Sequence, residues 1–157
     1  ETYVKKDKRL ELHPFANLKD EWTKDIGLYS DYERRQALVE LDILVAMSLG
    51  MTLDQLISIY KIQFPVLQSY EEDTWYDSNG RIVFTNNRSL TGVGLSRAEF
   101  EAIKDMKSGI YSNIVSDDTM PEGPKDRVIE YCAPFDRCVR ELDYKEAWDF
   151  FEKRFVQ

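Results

Sequence analysis

The chain has 157 residues, 43% of them hydrophobic and 13% aromatic, with 32% charged. That composition excludes a disordered polymer and supplies a core for one domain or two small lobes. The net charge of -8, from 21 basic and 29 acidic residues, opposes non-specific binding to nucleic acid, so any DNA contact must be local.

The longest apolar run, "ALVELDILVAMSL" at 37–49, carries Glu40 and Asp42. A bilayer span needs about 20 mostly apolar residues, so the run is expected to be a core helix and no membrane contact is expected. The two cysteines, Cys132 and Cys138, stand in a C-x5-C spacing that suits neither a disulfide scaffold nor a zinc knuckle. Free thiols and a cytoplasmic location are the expectation. The chain starts at Glu1, and a piece of a longer polypeptide is expected.

Residues 1–29 read as a partly irregular N-terminal extension. It holds the basic cluster "KKDKR" (5–9), either a solvated tail or a phosphate-touching arm, and "RLELH" (9–13), a candidate edge strand. A single α+β auxiliary domain is expected over 30–157. Its first helix spans about 31–49 behind the capping-box pattern of Ser30 and Glu33, and Gly50 follows as a left-handed stop. The second follows Thr52 and Gln55, presents Leu53, Leu56, Ile57, Tyr60 and Phe64 at helical spacing, and is ended or kinked by Pro65. The short link makes the two an antiparallel helical hairpin.

Next comes "DTWYDSNGRIVFTNN" (73–87), in which an Asn79-Gly80 pair separates two strand-like runs, a hairpin signal. A third helix is expected at 97–108 behind Ser96 and Glu99, with Phe100, Ile103 and Met106 inward. Strands follow at 110–115 and 127–135 around the turn-rich "SDDTMPEGP" (116–124). A fourth helix closes the chain at 144–155, capped by Asp143 and Glu146, with a stripe of Tyr144, Ala147, Trp148, Phe151 and Phe155. The fold class is therefore α+β: a helical hairpin, a small antiparallel sheet with an Asn-Gly hairpin, and a closing C-terminal helix.

Four groups are candidates for touching nucleic acid. On the hairpin, Trp75 and Tyr76 point to opposite faces, so at most one lies naturally in the core. Beyond the turn, Arg81, Asn86, Asn87 and Arg88 carry guanidinium and amide groups of the kind that read base edges. The plainer reading is that the asparagines serve turns and the aromatics stabilise the ribbon. "TGVGLSRAEF" (91–100) places glycines before a helix start, where Ser96 and Arg97 could meet a phosphate, although Ser96 capping its own helix explains the pattern equally well. Arg34 and Arg35 sit at a helix start, where the macrodipole disfavours cations, and imply Asp31, Glu33 or a phosphate beside them. Asp42, in its apolar run, must be paired or reach the rim.

Catalytic constellations are poor. There is one histidine, His13. "VIEYC" puts Cys132 where a metal nuclease strand would need lysine, and Asp117 and Asp118 are loop acids. No metal ligand set and no catalytic residue is assigned.

Taken together, "RRQALVELDILVAMSLGMTLDQLISIYKIQFPVLQSYEEDTWYDSNGRIVFT" (34–85), "GVGL" (92–95) and "EYCAPFDRCVRELDYKEAW" (130–148) resemble the C-terminal region of large bacterial class I SAM-dependent DNA methyltransferases. These are the restriction–modification and phage-defence enzymes, including type IIG-like adenine methylases. The resemblance implies a parent that methylates adenine N6, using a glycine-rich loop for S-adenosylmethionine and an N-P-P-[YF] motif for the flipped base. Neither motif is present, so no catalytic role transfers to any residue of this chain and no cofactor is expected in it. The resemblance implies a non-catalytic auxiliary part whose partners are the rest of the methyltransferase and double-stranded DNA. The opposing expectation is a structural module that braces the methylase core without touching DNA. A free-standing enzyme with an acid pair is the third.

Overall fold

Three of the four helix starts written as capping boxes form where the pattern puts them. In the computed structural model, which describes residues 3–11, 21–23, 26–86, 94–118 and 121–155, Ser30, Thr52 and Ser96 each accept from the backbone three residues on. The Glu33, Gln55 and Glu99 side chains return to the cap N–H. These boxes open α1 (Asp31–Ser48), α2 (Leu53–Gln63) and α4 (Arg97–Ile103). Gly50 takes φ of 71° after α1, a conformation open to glycine at little cost. Pro65 begins α3 (Pro65–Glu72), the first-turn position where a missing N–H leaves no bond unmade.

The chain is α+β, with these helices, two small antiparallel sheets and a C-terminal helix, α5 (Arg140–Phe155). It divides into two compact units, Glu1–Ser69 with Cys138–Gln157, and Tyr70–Arg137.

In the first unit α5 lies against α1 and α2. Val39, Ile43 and Ala46 of α1, Tyr60 of α2, and Tyr144, Ala147, Trp148 and Phe151 of α5 form the buried cluster. The expected stripe of the closing helix is therefore core, except that Phe155 stays exposed and stacks on Phe151. Val4 joins this cluster from the N-terminal segment.

Two expectations here are corrected. Asp143 does not cap the last helix, which starts three residues earlier at Arg140. Its carboxylate is buried and bridges Lys5 Nζ and Arg35 Nη1, each at 2.6 Å. Two cations hold it more firmly than a cap bond would. The candidate strand at 9–13 is, in its described part, a 3-10 turn at Lys8–Leu10, and residues 12 and 13 lie outside the described residues. Asp7 closes that turn by accepting from the Arg9 N–H and guanidinium, and Arg9 lies 3.8 Å over the Tyr32 ring.

The second unit contains β1 (Trp75–Tyr76) and β2 (Ile82–Phe84), the expected hairpin, with β5 (Asp136–Arg137) on the other edge of β1. Separately, β3 (Ile110–Asp117) and β4 (Lys125–Cys132) make an antiparallel ribbon of eight pairs. The hairpin loop is wider than an Asn-Gly pair. Asp77, 1% exposed, accepts from the N–H of Asn79 and Arg81 on one oxygen, both at 2.9 Å, and from the Cys132 N–H on the other at 3.1 Å. Gly80 takes φ of 81° at the turn.

Helix α4 stops at Ile103, short of the expected 108. Met106 nevertheless packs on the same cluster as Phe100, Ile103, Val83, Phe84, Ile129 and Tyr131. β4 ends at Cys132, before Pro134, which has no N–H to give a ladder.

Candidate functional site

Trp75 and Arg97, two of the residues singled out in the sequence, meet in one assembly of the second unit. Arg97 is the first residue of α4, and its guanidinium lies 4.9 Å over the Phe84 ring. Phe84 stacks on Phe100 at 5.1 Å and 6°, and Phe100 meets Trp75 at 5.2 Å. Arg137, brought by β5 opposite Trp75 in the sheet, lies 5.3 Å over the indole. Three rings are thus held in a row with a guanidinium at each end, an arrangement in which ring quadrupoles favour the cations.

A cleft of about 460 Å³ opens beside this row. Trp75, Phe100 and Phe135 give its apolar wall, and Arg97, Lys104, Lys107 and Arg137 bring four cations. Asp73, Glu101 and Asp105 bring three acids, so the lining is net positive in a chain of net charge -8.

Most of these cations are positioned by partners. Arg97 pairs with Asp73, Lys104 with Glu101, and Arg137 donates to the Glu72 carbonyl at 2.7 Å. The Glu101 carboxylate raises the Lys104 pKa. Among the described residues Lys107 has no ion-pair partner. Chemically the cleft offers fixed planar guanidiniums and exchangeable lysines, groups suited to phosphate oxygens.

The other candidates lie elsewhere. Tyr76 is buried, the core partner of the Trp75–Tyr76 pair. Arg81 and Asn86 are exposed, and Asn87 and Arg88 fall outside the described residues. Ser96 is occupied in its capping box, where its hydrogen bonds hold the Glu99 carboxyl below its usual range. Arg34 and Arg35 belong to the first unit. Arg34 donates to Asp31 and the Leu28 carbonyl, and Arg35 is buried against Asp143. Asp42 is paired as its apolar context demands, accepting from Tyr144 at 2.7 Å and Arg140 at 3.0 Å.

Arg137, Lys104 and Lys107 carry no sequence signal of a site. Arg137 reaches Trp75 only through a two-residue strand pairing, too short to show a period. The two lysines follow a helix whose apolar pattern points elsewhere.

Of the glycine stretch ahead of α4, residues 91–93 lie outside the described residues; Gly94 precedes a helix whose Glu99 N–H donates to the Ser96 hydroxyl and whose cap N–H donates to the Glu99 carboxylate. Among the described residues Asp117 and Glu130 are not brought together. Asp117 pairs with Arg127 on one face of the β3–β4 ribbon, and Glu130 projects from the other.

No protein-family model matches the chain, and no curated protein or solved structure is significantly similar to it. Among the described residues no helix is long and apolar enough to cross a membrane.

Proposed function

We propose that the chain is a non-catalytic auxiliary domain of a SAM-dependent DNA methyltransferase of the restriction–modification type. In this reading the second unit engages double-stranded DNA through the Trp75–Arg97–Arg137 cleft, working beside the rest of the enzyme in the cytoplasm. The observation that carries it is the gathering of four cations on a preorganised aromatic wall within an acidic chain. Phosphate contacts position a protein on duplex DNA, and methylation of a paired base needs the duplex held while the base is turned out.

The test is duplex binding by fluorescence anisotropy across a salt series. Lys104→Ala with Lys107→Ala removes two cleft cations and leaves the ring stack in place. Each lost phosphate contact lowers the slope of log K against log salt by about 0.9, so a fall of about 2 is expected. Arg81→Ala with Arg88→Ala tests the hairpin in the same way. An unchanged slope for both variants refutes DNA engagement at these surfaces.

A second reading has its own observation. Leu38, Leu41 and Val45 lie exposed along α1 and Leu49 at its C-cap, and an exposed apolar stripe of that kind marks a protein contact. It supports a module that braces the methylase core without touching DNA. That reading gains if this chain ignores duplex DNA at low salt while the full protein binds it.

A further inference from the structure

The β3–β4 ribbon has two faces of opposite character. Strand alternation and the register assign Tyr111, Val115, Ile129 and Tyr131 to the inner face, where they pack on the cluster of the second unit. The outer face is built in rows. Ile110 stands opposite Cys132, Ser112 opposite Glu130, Ile114 opposite Val128, and Ser116 opposite Asp126. Apolar and acidic rows thus alternate, and rows two residues apart are spaced about 7 Å along the strand.

The apolar members of this face are open to solvent, Ile110 at 59%, Ile114 at 69% and Val128 at 62%. Its two carboxylates have no ion-pair partner among the described residues. The ribbon's own cations are spent on the inner-face register. Arg127 lies 3.2 Å from Asp117, and Lys125 pairs with Glu122 in the adjoining loop. The outer face therefore carries two negative charges, no cation and an apolar row between them.

We infer that this face docks an extended peptide segment of the pattern apolar-x-basic-x-apolar-x-basic. An extended chain presents every second side chain to one side at the same spacing as the rows. Two aliphatic side chains then cover Ile110 and the Ile114–Val128 pair, while two lysines or arginines meet Glu130 and Asp126. Charge complementarity fixes the partner's sign and register. Duplex DNA, with its phosphates, is repelled by the same rows. The inference does not depend on the DNA-engagement reading and concerns a different set of side chains.

The test uses the whole chain, labelled with ¹⁵N, and the capped peptide Ac-Val-Thr-Lys-Thr-Val-Thr-Lys-NH2. Saturable amide shifts are expected at Ser112, Ile114, Asp126, Val128 and Glu130. Asp126→Lys with Glu130→Lys is expected to weaken binding at least tenfold, and a peptide with glutamate in place of lysine to restore it. Ile114→Thr with Val128→Thr, which keeps both charges, is expected to weaken binding as well. The absence of saturable shifts overturns the inference, as do shifts confined to other residues or equal binding of the lysine peptide by the charge-reversed variant. Concentration-dependent shifts of these residues without peptide would place a second copy of the chain there, and would also overturn it.

Discussion

Replacing Asp77 tests how the second unit is joined together. Its side chain is 1% exposed, and its two oxygens accept three backbone N–H bonds, from Asn79, Arg81 and Cys132. The first two close the hairpin turn, and the third ties that turn to the end of β4. Hydrogen bonds to a charged group contribute about 1.5–3 kcal/mol each. Asn79 and Arg81 lie at an exposed turn, where water can replace part of what they lose. Asp77→Ala is therefore expected to cost about 3–5 kcal/mol, a large share of the 5–15 kcal/mol that a domain typically has. Asp77→Asn keeps one acceptor oxygen for the two turn amides, but sets an NH2 group against the Cys132 N–H, donor to donor. Its expected cost is smaller, about 1–3 kcal/mol. Guanidinium denaturation gives the totals, and amide hydrogen exchange at Asn79, Arg81 and Cys132 gives the sites. The reasoning fails if the alanine variant stays within about 1 kcal/mol of the parent with all three amides still slow. It fails equally if asparagine destabilises as much as alanine.

Three further outcomes follow from the first unit and the caps. Asp143→Asn leaves buried Arg35 and partly exposed Lys5 without their carboxylate. A loss of about 3–5 kcal/mol in denaturant melts is expected, and a loss under about 1 kcal/mol would show that the bridge contributes little. Burial raises the pKa of Glu40, against the opposing pull of the Gln36 amide and the Val4 N–H. The folded state then binds that proton more tightly than the unfolded chain, so the stability it contributes is full below the unfolded pKa and lost as pH rises through the folded value. Glu40→Gln is expected to flatten this fall and to gain on the parent at neutral pH in urea midpoints; a variant that is weaker there contradicts the sign. Ser30→Ala is expected to cost about 1 kcal/mol, read as a shift in the thermal midpoint, because Ser30 is one half of a complete capping box.

Local grammar was readable where it decides the structure within three or four residues. Ser30, Thr52 and Ser96 announce helices because a cap is made by neighbours in sequence. The hairpin at 75–84 was readable from its turn and alternation. Asp143 shows the limit. Its D-x-x-E context is that of a cap, yet its partners Lys5 and Arg35 stand 138 and 108 residues away, and nothing near position 143 records them. The cleft shows the same limit. Trp75 and Arg97 were visible as aromatic and cation, but their placement at opposite parts of one ring stack depends on Phe84 pairing with Trp75 across an irregular register. Arg137 depends on a strand of two residues. Such pairings are set by the packing of the whole unit, and no short window contains them.

Sorting of charge matters more to this chain than its total. At physiological ionic strength a charge acts over about 8 Å before salt screens it. A partner arriving at the cleft therefore meets Arg97, Lys104, Lys107 and Arg137 against three acids, not the net charge of -8. A partner arriving at the outer face of the ribbon meets Asp126 and Glu130, which have no ion-pair partner among the described residues. The two surfaces thus present opposite charge, a net positive lining at the cleft and two carboxylates on the ribbon. If the cleft engages DNA as proposed, added salt weakens binding at both surfaces, but reversing Asp126 and Glu130 to lysine should leave the salt slope of DNA binding unchanged. If that reversal instead creates a new DNA-binding term, the acidic rows also serve to keep DNA off the ribbon, and the negative balance of the chain acquires a role in orienting it on the duplex.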